Sequence, residues 1–253
     1  MVNQGPLNDS TRGNSTDTIM AKMLLSHFNL LGDLVDAKKT AKFINEVHFT
    51  ENFGTGFRAG AFSEWPESLG LAAIRDPNLV RKFAEIAREK YLAVGIRAAL
   101  YPQIDLATEP KWARFGNTWG ENATLTSEFL VEYIKGFQGE EIGPRNVTTV
   151  TKHFPGGGPM ENGEDSHFIY GKNQTYPGNN FNYHLILFKT AIAAGAREKL
   201  GFEGIVVSDW GLITDGVILG QDIPARAWGV EHLSKFERAA MILNAGVDQF
   251  GGE

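Results

Sequence analysis

The chain of 253 residues contains no cysteine. Disulfide bonds, thiolate zinc sites and iron–sulfur clusters are therefore excluded, but the absence does not assign a compartment. Basic residues are also in the minority, since 24 Lys and Arg stand against 30 Asp and Glu, for a net charge of -6. No run of clustered Lys and Arg appears, and contacts to a phosphate backbone require one. We expect no nucleic-acid partner.

Long hydrophobic runs are missing as well. No apolar stretch approaches the roughly 20 residues that cross a bilayer, so we expect no membrane partner. The first residues, MVNQGPLNDSTRGNSTDT, are polar and lack the apolar core of a signal peptide. A cytoplasmic protein fits this pattern, and so does a secreted or periplasmic chain whose signal has been removed. We treat residues 1–20 as a polar leader and residues 21–253 as one domain. The sequence leaves open whether the protein forms a homo-oligomer.

The motifs of several enzyme classes are absent too. The six histidines show no H-E-x-x-H or other ligand spacing, so we expect no metal. Gly54, Gly56 and Gly60 have the wrong spacing for a dinucleotide loop, and "FPGGGP" lacks the Lys-Ser/Thr of a phosphate loop. No G-x-S-x-G marks a serine nucleophile. We expect no cofactor.

The chain alternates between helical and extended patterns. "DPNLVRKFAEIAREKYLAVG" has Asp76 as N-cap and Pro77 at the first helical position, and its apolar residues recur every three or four residues. The next segment, "GIRAALYPQIDL", has the composition of a strand.

The same alternation continues to the end of the chain. A helix is predicted at "TLTSEFLVEYIKGFQG", with Leu125, Phe129, Tyr133 and Phe137 facing inward. The strand after this helix is "NVTTVTKHF". Two further helix–strand units follow: "NYHLILFKTAIAAGAREKLG" with the buried strand "GIVVSDW", and "HLSKFERAAMILNAG" with "VDQF". Such alternation indicates parallel βαβ units, and at this length a (β/α)8 barrel. Only about five strands are convincing, so we predict an α/β, TIM-barrel-like fold that is incomplete or irregular.

Polar residues stand where several predicted strands end, which is where barrel enzymes place their active sites. They are Asp105, Lys152, His153, Asp209 and Asp248. A strand-end acid often only caps the next helix or pairs with a neighbouring base. Several such residues on one rim nevertheless favour a concave polar site. Carboxylates and loop aromatics together suit a sugar ligand.

Three motifs together resemble glycoside hydrolase family 3, which contains β-glucosidases and β-N-acetylglucosaminidases. They are "DLATEPKWARFGNTWGEN", "KHFPGGGP" and "GFEGIVVSDWG", in the family's order. The resemblance runs from about Leu24 to the end of the chain. "SEWPESLGLAA" and "AGVDQFGGE" are most similar to the bacterial β-glucosidase branch. The resemblance to this family implies that the chain is the N-terminal barrel domain of a retaining β-glucosidase that acts on terminal nonreducing β-D-glucosyl residues.

The resemblance also implies roles for single residues. Asp209 matches the nucleophile that forms a covalent glycosyl-enzyme, and Trp210 the tryptophan that borders the leaving-group subsite. A positive Lys152 keeps Asp209 ionised. The residues expected to bind the substrate are Arg114, Lys152 and His153, together with the strand-end Asp105.

The chain departs from the family at two internal points. A strand is missing between "AKFINEV" and "HFTENFG", and a second stretch is missing between "AIAAGA" and "REKLGF". We expect these two internal deletions to explain the shortage of strands. We also expect the family's second domain, which usually supplies the general acid, to be absent after Glu253.

Another source of the general acid lies within the chain. Asp165 and His167, in D-S-H, resemble the Asp–His dyad of the family's N-acetylglucosaminidases. A histidine on this loop that only packs or binds sugar is the simpler interpretation. Two rival functions stay open: a β-N-acetylglucosaminidase that uses this dyad, and a sugar-binding barrel remnant with little turnover.

Overall fold

The computed structural model of the chain describes residues 65–93, 96–140, 142–195, 204–218 and 221–251. The polar leader, the Gly54–Gly60 pattern and both expected deletion points lie outside the described residues.

The described residues contain helices joined by short strands and long loops. The helices are α1 (Ser68–Ile74), α2 (Pro77–Ala93), α3 (Ala123–Gln138), α4 (Phe181–Gly195) and α5 (Lys235–Asn244). The strands are β1 (Ala98–Ala99), β2 (Thr148–Thr149), β3 (Gly216–Ile218) and β4 (Gln221–Ile223). Single 3-10 turns lie at Phe115–Asn117, Glu161–Gly163, Ile169–Gly171 and Pro177–Asn179.

Side-chain caps define where three of the helices begin. The Asp76 carboxylate accepts a bond of 2.9 Å from the Asn78 amide, as the D-P start of α2 predicts. The Asn122 side chain caps α3. Ser234 and Glu237 form a reciprocal capping box at the start of α5. The four predicted helices are confirmed within the described residues, whereas the last part of the predicted "NYHLILFKTAIAAGAREKLG" helix lies outside them.

Helices α2 and α3 enclose the larger core. Phe129, Tyr133 and Phe137 are buried as predicted, whereas Leu125 packs against the core only in part. The helices approach so closely that a Cβ at Gly136 would collide with the Ala84 side chain. A glycine is therefore required there by packing, although it disfavours the helix by about 1 kcal/mol relative to alanine.

A second core lies between α3 and α4. Its buried members are Ile104, Leu106, Ala123, Leu130, Ile134, Leu187 and Phe188. Ile104 and Leu106 flank Asp105, and side chains alternate in direction along an extended segment. Their burial therefore fixes the extended segment in place. Because the Asp105 side chain lies on the opposite face of that segment, it is directed away from this core.

The strands are shorter than predicted. β1 and β2 pair in parallel, with Ala98 opposite Thr148, as a βαβ unit requires. The pairing resumes only at a bridge between Gln103 and Lys152. One reason is Pro102, which has no N–H to donate to a continuous ladder. The described residues form a partial, mixed α/β arrangement and do not close an eight-stranded barrel.

The region after α4 departs further from the prediction. The predicted strand "GIVVSDW" is reduced to a parallel bridge between Val207 and Gln249. Ile205 and Val206 are exposed, so the prediction of a buried strand is wrong here. Within the described residues this segment has a pairing partner on one side only. The antiparallel hairpin of β3 and β4 was not predicted, because three-residue strands are too short to show a period.

Candidate active site

His153 is held by Asp105 at the base of the site. The carboxylate Oδ2 lies 2.8 Å from His153 Nδ1, and Oδ1 accepts the backbone amides of His153 and Gly157. Burial alone would raise the pKa of Asp105, but His153, the Gly157 amide and Arg114 bring it below its ordinary value. The ionised Asp105 carboxylate therefore lies next to the His153 imidazole. Its hydrogen bonds with described residues are all made to His153 and Gly157.

Arg114 extends this network. Its Nη2 donates to Gln103 Oε1 at 2.6 Å, and its Nη1 lies 3.4 Å from His153 Nε2. An arginine N–H can only donate, so Nε2 accepts and Nδ1 carries the proton that faces Asp105. Gln103 is fully buried and was not predicted as a site residue. Its position two residues before Asp105, on the same face of the extended segment, is the signal that could have found it.

Lys152 places a cation beside two carboxylates. Its ammonium lies 4.9 Å from the centre of the Tyr101 ring. Burial and the charge of Arg114 lower the pKa of Lys152 to about 8, although Asp209 and Asp105 oppose that shift. The lysine is therefore mostly protonated at neutral pH, and it attracts Asp209.

The two oxygens of Asp209 differ in their contacts with the described residues. Its Oδ1 accepts the Trp210 amide at 2.7 Å and the Arg226 Nη2 at 3.3 Å, whereas Oδ2 accepts no bond from a described residue. Burial raises the pKa of this carboxyl, but Arg226, the Trp210 amide and His153 bring it below its ordinary value. The side chain is 39% exposed. Asp209 is therefore an accessible, ionised carboxylate, as a nucleophile must be.

The turn that carries Asp209 is fixed by the last described residues. The Ser208 amide donates to the Gln249 carbonyl at 2.9 Å, and the Gly251 amide donates to Ser208 Oγ at 2.9 Å. A Cβ at Gly251 would lie 3.1 Å from the Trp210 ring. Asp248, another strand-end acid, accepts the Val206 amide at 2.8 Å through Oδ2. Its carboxylate therefore braces the backbone of this segment.

Asp165 and His167 are in contact. The imidazole Nδ1 bonds to Asp165 Oδ1, which also accepts the His167 amide at 2.9 Å, while Trp112 Nε1 donates to Oδ2 at 2.9 Å. Burial opposes ionisation, but the bonds from His167 and Trp112 hold the pKa of Asp165 well below its ordinary range. His167 is 44% exposed, and its Nε2 bonds to no described residue.

A second tryptophan ties the loop that carries the dyad. Trp228 Nε1 donates to the Ser166 carbonyl at 2.8 Å. The charge of His167 also lowers the pKa of Asp209, so the dyad lies within electrostatic reach of that carboxylate.

The described residues contain no group of three or more His, Asp or Glu side chains that could hold a metal ion. Within the same ranges, every helix is too short or too polar to serve as a bilayer span.

The chain is similar to curated β-glucosidases. It is 58% identical to β-glucosidase C of Emericella nidulans over 305 aligned positions, which cover 100% of the chain and 49% of that protein. At least 52 of those positions, 305 minus 253, have no counterpart in the chain, in agreement with internal deletions. A periplasmic β-glucosidase/β-xylosidase of Dickeya chrysanthemi is 38% identical over 81% of the chain and 38% of its own length. The chain spans about half the length of the relatives at 57–58% identity.

Solved structures share the fold. The structure of a β-glucosidase from Erythrobacter marinus matches the chain with a TM-score of 0.57 at 24% identity. The match covers 75% of the chain and 27% of the Erythrobacter protein. An exo-1,3/1,4-β-glucanase from a Pseudoalteromonas species matches with a TM-score of 0.52 at 23% identity. That match covers 75% of the chain and 25% of the glucanase. The family model described as the glycosyl hydrolase family 3 N terminal domain matches residues 36–197, well over half of the chain. The three motifs, the α/β fold and this match agree, and the chain belongs to glycosyl hydrolase family 3.

Proposed function

We propose that this chain carries the catalytic domain of a retaining β-glucosidase that removes terminal nonreducing β-D-glucosyl residues. The observation that carries the proposal is Asp209, an ionised carboxylate whose Oδ2 accepts no bond from a described residue and whose charge acts on the cationic Lys152. The β-glucosidases of Emericella nidulans and Dickeya chrysanthemi support the substrate class.

The proposed reaction has two steps. In the first, Oδ2 of Asp209 attacks the anomeric carbon, the bond to the leaving oxygen breaks, and a general acid protonates that oxygen. The product is a glycosyl ester on Asp209 with inverted configuration. In the second, water attacks the same carbon and gives its proton to the group that acted as acid. Asp209 leaves, and the β-configuration is restored.

Arg114, Lys152 and His153 are proposed to bind the glucose hydroxyls. Arg114 and Lys152 are cations, whose charge-assisted bonds are stronger than neutral ones, and His153 can accept through Nε2. We assign Asp105 to positioning His153, since its oxygens bond to the His153 ring and amide and to the Gly157 amide. Trp210 follows the nucleophile directly and is proposed to border the leaving-group subsite.

The general acid has two candidate sources. Asp165 holds the His167 imidazole through Nδ1, and Nε2, which bonds to no described residue, can give and accept a proton. The other source is the second domain that family members carry. The two are separated by how activity depends on the leaving group.

The dyad also underlies the second candidate function, a β-N-acetylglucosaminidase. The curated relatives at 57–58% identity are named β-glucosidases or probable β-glucosidases, so they do not favour that alternative. A remnant that binds sugar without turnover is the third. An aryl β-glucoside and an aryl N-acetyl-β-glucosaminide, assayed side by side, separate the three functions.

The decisive experiment is covalent trapping with an activated 2-deoxy-2-fluoro-β-glucoside, followed by peptide mass mapping. We expect one label, on Asp209, and none in Asp209→Asn, whose kcat should fall by at least about three orders of magnitude. Asp248→Asn is the matched control, because Asp248 is another acid of the same segment pair but its Oδ2 bonds to the Val206 backbone amide. A label on another residue, or a preference for the N-acetyl substrate, would contradict the proposal.

A further inference from the structure

Arg226 reaches back from the segment after the β3–β4 hairpin to the turn that carries Asp209. Its Nη2 lies 3.3 Å from Asp209 Oδ1 and also donates to the Trp210 carbonyl. Its own backbone amide donates to the Gly211 carbonyl at 2.7 Å. The three contacts fall on three successive residues, and the Arg226 side chain is only 16% exposed.

We infer that Arg226 is the positioning residue of the nucleophile: it holds Oδ1 of Asp209 so that Oδ2 is the oxygen that attacks the sugar. This inference rests on the proposed function. The Trp210 amide binds the same oxygen, so two donors converge on Oδ1. A carboxylate fixed by two donors cannot exchange its oxygens without breaking both bonds.

The charges around Asp209 differ in how they respond to pH. Arg226 makes the largest charge contribution to the low pKa of Asp209, His153 and His167 add to it, and Lys152 is attracted to the same carboxylate. Lys152 has a pKa of about 8, so its charge declines as the pH rises above neutral. An arginine stays protonated over the same range. Arg226 therefore keeps its charge where Lys152 loses its own.

Neighbouring bonds fix the segment from which Arg226 extends. The Ala225 amide donates to Asp215 Oδ1 at 2.7 Å. Arg238, on α5, donates to the carbonyls of Ile213 at 2.9 Å and Glu231 at 2.6 Å. Arg238 thus supports the same loop without an observed contact to Asp209, and it is a matched control for loosening of the loop.

The test compares Arg226→Met, Arg226→Lys and Arg238→Lys with the wild-type chain. The first readout is the titration of the Asp209 carboxyl by 13C NMR, with Asp209→Asn for assignment. The second is the rate of trapping by the fluoroglucoside between pH 4 and pH 8. We expect the pKa of Asp209 to rise in Arg226→Met. The ratio of trapping rates at pH 7 and pH 5 should increase at least about threefold over wild type.

The variants separate a charge effect from a folding effect. Arg226→Lys keeps the charge and should restore most of the low pKa, whereas Arg238→Lys should lower the melting temperature without moving the Asp209 titration. An unchanged Asp209 titration in folded Arg226→Met would overturn the inference. If Arg226→Met does not fold, Arg226→Lys answers through its trapping rate, which should fall because a lysine ammonium lacks the planar, fixed donor geometry of the guanidinium. A wild-type chain that is never labelled would refute the proposed function, and NMR would still show whether Arg226 governs the carboxylate.

Discussion

Nδ1 of His153 lies 2.8 Å from Oδ2 of Asp105, and the carboxylate is 0% exposed while the imidazole is 25% exposed. A buried acid thus orients a base that faces outward. This arrangement fixes the tautomer of His153, and Nε2 is left to accept from Arg114 or from a ligand.

Replacing Asp105 with Asn should weaken both activity and folding. Loss of a charge-assisted bond is worth about 1.5–3 kcal/mol, so kcat/KM for an aryl β-glucoside should fall roughly 10- to 100-fold. The folded-state pKa of Asp105 lies below its ordinary value, so its stabilisation is present above that value and is lost as the pH falls further. Urea unfolding should show a stability gap between wild type and variant that is largest at neutral pH and shrinks below about pH 4. A gap that widened in acid would contradict this account.

Lys152 should give the enzyme an alkaline limb. Its pKa is about 8, so kcat/KM should decline as the pH rises through that value, because the neutral amine binds hydroxyls and attracts Asp209 more weakly. Lys152→Arg keeps the charge and should move the limb to higher pH. An alkaline limb that stays in place in this variant would assign it to another group.

The same lysine has the opposite effect on stability. Its proton is held less tightly in the folded chain than in the unfolded one, so Lys152 contributes a rise in unfolding free energy between about pH 8 and about pH 10.5. The rise should be absent in Lys152→Met. Chemical denaturation of the two proteins at pH 7, 8.5 and 10 measures the difference, and parallel curves would be the contrary result.

His167 should matter most for poor leaving groups. The second glucose of cellobiose departs only when its oxygen is protonated, whereas p-nitrophenolate leaves without help. If the dyad supplies the acid, His167→Ala should reduce cellobiose cleavage far more than p-nitrophenyl glucoside cleavage. His232→Ala, at an exposed histidine outside the dyad, is the control. Equal losses on both substrates, or cellobiose left uncut by the wild-type chain, would assign the acid to another domain.

Gly136→Ala should destabilise the protein despite the helix preference for alanine. Its Cβ would meet Ala84 and the Arg81 carbonyl across the α2–α3 contact, and overpacking of this kind costs about 1–3 kcal/mol. Adding Ala84→Gly removes one of the two clashes and should recover part of the loss. Thermal unfolding of the single and double variants measures this. A single variant more stable than wild type would show that the helices separate freely.

Helices were predictable here because their signals are local. Asp76 with Pro77, and Ser234 with Glu237, mark helix starts within four residues, and apolar spacing supplies the buried face. The strands were not predictable, because the length of a strand depends on the neighbouring strands that pair with it. "IVVS" has the composition of a buried strand, yet Ile205 is exposed because composition does not show what packs against it.

The candidate site divides along the same line. Arg114, Lys152, His153 and Asp209 were predicted from motifs, but the role of Asp105 depends on whether its oxygens find protein donors, which no single sequence shows. Arg226 was missed because it follows Asp209 by 17 residues, in a segment with no period, and its contact requires the loop to fold back.

The dyad loop is attached to the rest of the protein through a few defined points. Asp165 bonds to Trp112, the Ser166 carbonyl to Trp228, and Gln174 to the Gly156 carbonyl at 2.8 Å. Between these anchors, Phe168 and Tyr170 stack on each other and stay exposed. A mutant library confined to these two aromatic positions can therefore vary the loop surface while its anchors persist, so any change in substrate preference that it produced would come from the surface of the loop and not from its collapse.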